Sequence, residues 1–111
     1  MKVAVIGSRQ LTNIQIEKYL PDETKEIVSG GAKGVDGIAA EYARKNGLAL
    51  VEIYPQYERY GRAAPLKRNE EIVNYADQII AFWDGKSKGT NYVIKYAKTV
   101  GKPCLVIIEE K

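Results

Sequence analysis

The feature of this sequence that most constrains its fold is a regular alternation of two residue patterns. Short apolar runs typical of buried strands occur five times, and a stretch with helical periodicity separates each run from the next. The apolar runs span residues 3–6, 27–28, 48–53, 78–82 and 104–108. Because a crossover between parallel strands is right-handed and returns its helix to the sheet, the pattern predicts a parallel sheet covered on both faces. We therefore predict an α/β fold, a doubly wound five-stranded parallel sheet. For its strand order we expect 3-2-1-4-5, a common order in such sheets.

Start and stop signals predict one helix for each of the four crossovers. The helices are expected to begin near residues 12, 35, 65 and 90. Thr12 and Gln15 form a capping-box pair at the start of the first helix, and Pro21 ends it. Gly47 and Gly101 follow the second and fourth helices, where a residue in the left-handed conformation commonly closes a helix.

Length and composition predict one domain, residues 1–111, with 45% hydrophobic and 28% charged residues, as in globular proteins. The chain contains no His, which excludes Ser-His-Asp and Cys-His catalytic arrangements and every His-ligated metal site. The single Cys104 stands inside an apolar run, which favours a core position over a nucleophile. We expect no metal and no cofactor, so any chemistry would depend on carboxylates, hydroxyls and backbone dipoles.

The N-terminal apolar run ends after Ile6, too early for a signal peptide or a membrane span, so we expect a cytoplasmic protein with no membrane partner. The formal net charge of +3 does not by itself indicate nucleic acid. The segments that follow the first four strands carry eight basic and three acidic residues. The basic residues are Arg9, Lys33, Arg59, Arg62, Lys67, Arg68, Lys86 and Lys88, and the acidic ones are Asp36, Glu58 and Asp84. Positive charge is therefore concentrated at one edge of the predicted sheet.

The same segments carry the glycines expected of an anion-binding site. In open parallel sheets, ligands bind beyond the carboxyl ends of the strands where the strand order reverses, here between strands one and four. Gly30, Gly31 and Gly34 allow a tight turn before the second helix, whose N–H groups attract a phosphate. Gly89 and Thr90 form a smaller site of this kind, although strand-to-helix turns also use glycine and a polar cap without any ligand. The spacing matches neither the dinucleotide fingerprint nor a Walker A loop, which disfavours nicotinamide-dinucleotide dehydrogenases and P-loop NTPases.

Residues 54–64 form a long connection rich in Tyr and Arg, which predicts a functional loop or lid. Tyr54, Tyr57 and Tyr60 are candidates to stack on a nucleotide base, and packing of the lid on its own domain is an equal alternative. Trp83, at a strand end beside Asp84, is a further stacking candidate.

Three segments resemble the SLOG superfamily: IVSGGAKGVDGIAAEYA, the Arg68-Asn69 pair in PLKRNEEIV, and DQIIAFWDGKSKGTNYVIKYA. The sequence is most similar to the small YspA-like, YpsA-related SLOG domains, over nearly its whole length. This resemblance implies a Rossmann-like domain that binds a nucleotide or nucleotide-derived small molecule and commonly forms homo-oligomers. The ligand-binding residues predicted from the loops and the resemblance together are Gly7, Ser8, Arg9, Ser29, Gly30, Gly31, Ala32, Lys33, Gly34, Asp36, Arg68, Asn69, Trp83, Gly89 and Thr90.

Two more distant branches imply alternative functions. LOG-type cytokinin phosphoribohydrolases carry a PGGxGTxxE motif whose Glu acts on an N-glycosidic bond, but Val93 stands at that position here. Asp36 and Asp84 are the remaining candidates for a catalytic carboxylate, unless they serve as a first-turn helix residue and a turn former. The DNA-processing protein A branch binds single-stranded DNA, for which Lys33, Arg68 and the lid would supply a basic groove.

A binding module, acting as a sensor or sequestering protein, is the function favoured by the sequence. An N-glycosidase that acts on nucleotides ranks second, because the family's catalytic Glu is missing. Single-stranded DNA binding ranks third, because the net charge is modest. Arg68→Ala is expected to weaken ligand binding at least tenfold with little loss of fold.

Overall fold

The computed structural model of the chain describes residues 1–31 and 33–109. Its five strands are β1 (Lys2–Gly7), β2 (Glu26–Ser29), β3 (Ala49–Glu52), β4 (Gln78–Trp83) and β5 (Cys104–Ile108). They form one sheet in the order β3-β2-β1-β4-β5, and every neighbouring pair is parallel. The predicted fold class and strand order are therefore confirmed.

Four α-helical segments lie within the described residues: α1 (Val35–Lys45), α2 (Tyr57–Tyr60), α3 (Ala64–Tyr75) and α4 (Lys88–Val100). The second, third and fourth predicted helices correspond to α1, α3 and α4. The helices α1 and α3 begin within one residue of the expected positions, and α4 begins two residues earlier than expected. Gly101 closes α4 in the left-handed conformation, at φ 75°, as expected. No helix in the described part of the chain is both long and apolar enough to cross a membrane.

The predicted first helix is wrong. Between β1 and β2 the structure has only a short 3-10 turn, Ile16–Lys18, and Gln15 before it has non-helical backbone angles and makes no capping hydrogen bond through its side chain. Leu11 and Ile16 are nonetheless buried in the core, so this segment satisfies its apolar pattern without forming an α-helix. Its β-branched residues and Asn have low helix propensity, and packing on the sheet determines the path of the chain instead.

The central strand β1 connects two hydrophobic clusters, one on each face of the sheet. Val3 and Val5 belong to the cluster covered by α1, whereas Ala4 and Ile6 belong to the cluster covered by α3 and α4. This two-sided burial is typical of parallel sheets with helices on both faces. At the carboxyl end, Gly7 pairs with Phe82 of β4, so the loops that follow β1 and β4 begin side by side.

Candidate ligand-binding site

A cavity of about 510 Å³ opens at the carboxyl edge of the sheet, next to the ends of β1 and β4. This is the position expected where the strand order reverses. Nine of the predicted ligand-binding residues line the cavity: Gly7, Ser8, Arg9, Gly30, Asp36, Arg68, Asn69, Gly89 and Thr90. Ser29, Gly31, Lys33, Gly34 and Trp83 are not among the lining residues, and Ala32 lies outside the described residues.

Further residues line the cavity that were not predicted to bind a ligand. The polar ones and Pro65 come from the loops and helix starts around the site, and the apolar ones come from β1, α3 and α4. They are Gln10, Pro65, Lys86, Ser87, Ile6, Ile72 and Val93. Lys86 and Ser87 could have been predicted as lining residues from the sequence, because both lie in the loop that follows β4. Asp84, a candidate catalytic residue, also lines the cavity.

The turn after β1 depends on the absence of a side chain at Gly7. A Cβ atom there would lie 2.6 Å from both the Phe82 carbonyl oxygen and Val35 Cγ2, so only glycine fits without displacing β4 or α1. The next residue, Ser8, is buried and connects the two loops. Its N–H donates to the Phe82 oxygen at 3.1 Å, and its Oγ accepts from the N–H of Asp84 at 3.3 Å.

Arg68 and Asp36 converge above Gly30. Arg68 Nη1 donates to the Gly30 carbonyl oxygen at 2.8 Å and to that of Ile53 at 3.5 Å, and its Nε donates to Asn69 Oδ1 at 2.9 Å. A Cβ atom on Gly30 would lie 2.6 Å from Arg68 Nη1 and 3.0 Å from Asp36 Oδ2. Gly30 therefore lets a guanidinium and a carboxylate approach the same wall of the cavity.

The rest of the glycine-rich turn packs against the protein itself. Gly31, at φ 70°, lies under the ring of Tyr54, which a Cβ atom would strike. Gly34, at φ 73°, faces the backbone of Arg9, whose carbonyl oxygen would be 2.5 Å from a Cβ atom. The Tyr54 hydroxyl donates to Glu52 Oε1 at 3.0 Å, and this bond raises the pKa of Tyr54. These two glycines are thus required for the folding of the turn, whether or not a ligand binds.

The loop between β4 and α4 is held by its own hydrogen bonds. Asp84 Oδ1 accepts from the backbone N–H groups of Ser87 and Lys86, each at 2.8 Å, and these two bonds lower the pKa of Asp84. The indole N–H of Trp83 donates to the Ser87 carbonyl oxygen at 3.0 Å. Asp84 is therefore a turn former, and the Trp83 indole braces the start of α4.

The first turn of α4 opens into the cavity. This turn, which the structure describes in full, carries Lys88, Gly89 and Thr90 and no acidic residue. A Cβ atom on Gly89 would meet no atom of the described residues within 4 Å. By contrast, the first turn of α1 contains the buried Asp36, whose charge offsets the positive end of that helix dipole. At α4 the nearest carboxylate, Asp84, precedes the helix and is bonded to the N–H groups of Ser87 and Lys86, so the first turn itself carries no negative charge. The start of α4 is therefore the more open of the two helix ends to an anion.

Charged side chains of both signs line the cavity. Arg9, Arg68 and Lys86 contribute three positive charges, and Asp36 and Asp84 contribute two carboxylates. Asp84 accepts hydrogen bonds from two backbone N–H groups, whereas Asp36 lies on the wall of the cavity beside Gly30 and Arg68. The arrangement suits a ligand with an anionic group at one end and hydrogen-bond donors at the other.

Comparisons with known proteins agree with this architecture. A model of the YspA, cpYpsA-related SLOG family matches residues 1–60 of the chain. The chain belongs to this SLOG family. A curated relative, the Gene 61 protein of Mycobacterium phage D29, is 35% identical over 85 residues, covering 71% of this chain and 68% of that protein. No solved structure matches the chain.

Membership of the SLOG family points to a nucleotide-related function. In this SLOG chain, Val93 lines the cavity at the position where the resemblance to LOG-type phosphoribohydrolases would imply a Glu. The cavity wall at that position is therefore apolar. Among the residues that the structure describes, Asp36 and Asp84 are the carboxylates that line the cavity.

Proposed function

We propose that the cavity binds a nucleotide or nucleotide-derived molecule and that the protein acts as a sensor or sequestering module. The observation that carries this proposal is that the first turn of α4 opens into the same cavity as Lys86 and Arg68. A volume of about 510 Å³ lies within the usual range for small-molecule sites. Family membership supplies the nucleotide-related class of ligand.

In this proposal the phosphate binds at the start of α4. The N–H groups of a first helical turn have no partner within the helix, and the helix dipole favours a negative charge there. Gly89 permits close approach, and Lys86 supplies a charge. A helix terminus contributes roughly 0.3–1 kcal/mol and each charged hydrogen bond roughly 1.5–3 kcal/mol, so several together support micromolar binding.

In this proposal the phosphate does not bind at the glycine-rich turn after β2, although the sequence favours that turn. Gly31 of that turn lies under Tyr54, and Lys33 is not a lining residue. The end of the cavity near this turn holds Asp36 beside Arg68. A buried carboxylate repels a phosphate and accepts hydrogen bonds from hydroxyl or amino groups. Asp36 is therefore proposed to accept a hydrogen bond from a ribose hydroxyl or a base amino group.

A panel of nucleotides, cyclic nucleotides, ADP-ribose derivatives and nucleoside monophosphates, measured by thermal shift, tests the proposal. A ligand at one hundred times its dissociation constant adds roughly 2.7 kcal/mol of stability, a shift of several degrees for a domain of this size. Free ribose and inorganic phosphate are the controls, since each carries only part of the proposed ligand. If no compound of the panel stabilises the protein, nucleotide binding at this site is refuted.

The buried Asp36 carboxylate in the cavity favours a second candidate function, N-glycosidic bond hydrolysis. A carboxylate beside the sugar stabilises the positive charge that develops as the bond breaks. Asp36 is only 8% exposed, and its Oδ2 is close to the Arg68 guanidinium. Incubating each stabilising nucleotide with the protein and chromatographing the mixture tests this function. Release of free base that Asp36→Asn abolishes would establish hydrolysis, and recovery of intact ligand would leave binding as the function.

A further inference from the structure

Strand β5 lies at the edge of the sheet, and its hydrogen bonds to β4 determine how its backbone is oriented. Ile79 N–H donates to the Pro103 carbonyl oxygen at 2.9 Å. At the other end of the strand, Glu109 N–H donates to the Trp83 carbonyl oxygen at 2.9 Å. In a parallel pair, alternate residues of a strand bond to the same neighbour. Pro103, Leu105, Ile107 and Glu109 therefore direct their backbone polar groups toward β4.

The intervening residues, Cys104, Val106 and Ile108, direct their N–H and C=O groups away from the sheet. Within the described residues, no strand pairs with this outer edge of β5. Their backbone groups thus form a regular row of donors and acceptors. Such a row is a template for pairing with another strand.

The side chains of β5 do not protect this edge. The strand, CLVII, has no charged residue and no proline, although these are the usual means by which proteins block pairing at a sheet edge. Leu105 is 41% exposed, Val106 36% and Ile108 57%. They lie on both faces of the strand, because successive side chains alternate. The opposite edge strand, β3, differs in that it contains Glu52.

We propose that two copies of this chain pair through β5 in antiparallel orientation, about a two-fold axis at Val106. The N–H group of Val106 in each copy then donates to the carbonyl oxygen of Val106 in the other copy. Cys104 does the same with Ile108 of the second copy, because the outward-facing residues are spaced symmetrically about Val106. The pairing joins two five-stranded sheets into one continuous sheet and does not depend on the proposed ligand.

Charge and symmetry favour a second copy as the occupant and fix the antiparallel orientation. Lys102 precedes β5, and Glu109 follows it. Antiparallel pairing brings the Lys102 end of one copy to the Glu109 end of the other, whereas parallel pairing would place like charges together. A two-fold axis also satisfies both copies with the same contact and leaves neither β5 edge open for further addition. The exposed Leu105, Val106 and Ile108 lose solvent contact in this dimer.

The oligomeric state of the full chain tests the proposal by light scattering with size-exclusion chromatography over a dilution series. The wild type is expected at twice the chain mass of 12.4 kDa, with a mass that falls on dilution. Val106→Pro removes an outward N–H without removing a bond to β4, and Val106→Lys adds a charge to the edge. Both variants are expected to be monomers with an unchanged far-ultraviolet circular dichroism spectrum. Ala49→Lys adds the same charge to the exposed start of β3 and should leave the dimer intact.

Amide hydrogen exchange gives a readout that does not depend on any substitution. The Val106 and Ile108 amides should be protected at high protein concentration and exchange rapidly on dilution. The Leu105 and Ile107 amides, which face β4, should be protected at both concentrations. A wild type that is monomeric throughout the series overturns the proposal. A dimer that survives both Val106 variants, or exchange at Val106 that does not depend on concentration, also overturns it.

Discussion

Arg68 extends from α3 to the carbonyl oxygen of Gly30, which lies 2.8 Å from its Nη1 atom, and so ties the third helix to the turn after β2. The same guanidinium lines the cavity. One side chain therefore both braces the cavity and presents a positive charge to whatever binds there.

The sequence predicts that Arg68→Ala weakens binding with little loss of fold, but the hydrogen bond to Gly30 makes a loss of stability expected as well. Without Arg68, the partly buried Gly30 carbonyl loses a charged hydrogen bond, so the free energy of unfolding should fall by roughly 1.5–3 kcal/mol. Ligand affinity should fall at least tenfold, because a charge in the cavity is lost. Urea denaturation and calorimetric titration measure the two effects. Arg62→Ala, at an exposed position that does not line the cavity, is the control and should change neither quantity.

Lys86 and Lys88 provide a matched test of the phosphate site. Both are exposed and stand two positions apart, but only Lys86 lines the cavity. Lys86→Ala should weaken binding of a phosphorylated ligand about tenfold, equivalent to about 1.4 kcal/mol. Lys88→Ala should have a much smaller effect that added salt removes, since it acts only through long-range charge. Equal losses in calorimetric titrations of the two variants would contradict the proposed position of the phosphate.

Gly89→Ala should weaken nucleotide binding without lowering the stability of the protein. A Cβ atom at this position meets no described protein atom within 4 Å, and alanine is preferred over glycine inside a helix by about 0.8–1.0 kcal/mol. The free energy of unfolding should therefore rise or stay constant, whereas the methyl group should obstruct a phosphate at the start of α4. Loss of nucleotide binding with unchanged or higher thermal stability is the expected result. Full affinity in this variant would show that no ligand group approaches Gly89.

The carboxyl of Asp84 should contribute to the acid sensitivity of the fold. The N–H groups of Ser87 and Lys86 lower its pKa in the folded protein, whereas the unfolded chain has an ordinary value of about 3.9. Its stabilising effect is therefore complete above that value and is lost as the pH falls through the folded pKa. Asp84→Asn should lose less stability than the wild type between about pH 4 and pH 2. Denaturant titrations across this range measure the difference, and identical pH profiles would contradict it.

The fold was predictable because the spacing of apolar residues in the sequence reflects which positions of each strand and helix are buried. The parallel sheet, the carboxyl-edge site and the start of α1 follow from this pattern, whereas the strand order was expected because it is a common one in doubly wound sheets. The first crossover was mispredicted because Leu11 and Ile16 become buried without an α-helix, and local capping signals do not report tertiary packing.

The candidate site was predictable in its position but less so in its details. Glycines mark the turns, but the sequence does not distinguish a glycine that faces a ligand, such as Gly89, from one that fits under Tyr54, such as Gly31. Similarly, nothing local to Arg68 reveals that it binds a carbonyl group 38 residues away. Contacts between residues so far apart in the sequence form only when the chain folds.

The most direct test of the central claim is an amide chemical-shift titration of isotopically labelled protein with the nucleotide that gives the largest thermal shift. If the phosphate binds at the start of α4, the amide signals of Gly89 and Thr90 should move most, together with those of Ser8 and Lys86. The same titration with the unphosphorylated nucleoside should leave Gly89 and Thr90 nearly unchanged. Shifts concentrated in the Tyr57–Tyr60 segment or at Lys33, with Gly89 and Thr90 unaffected, would contradict the account.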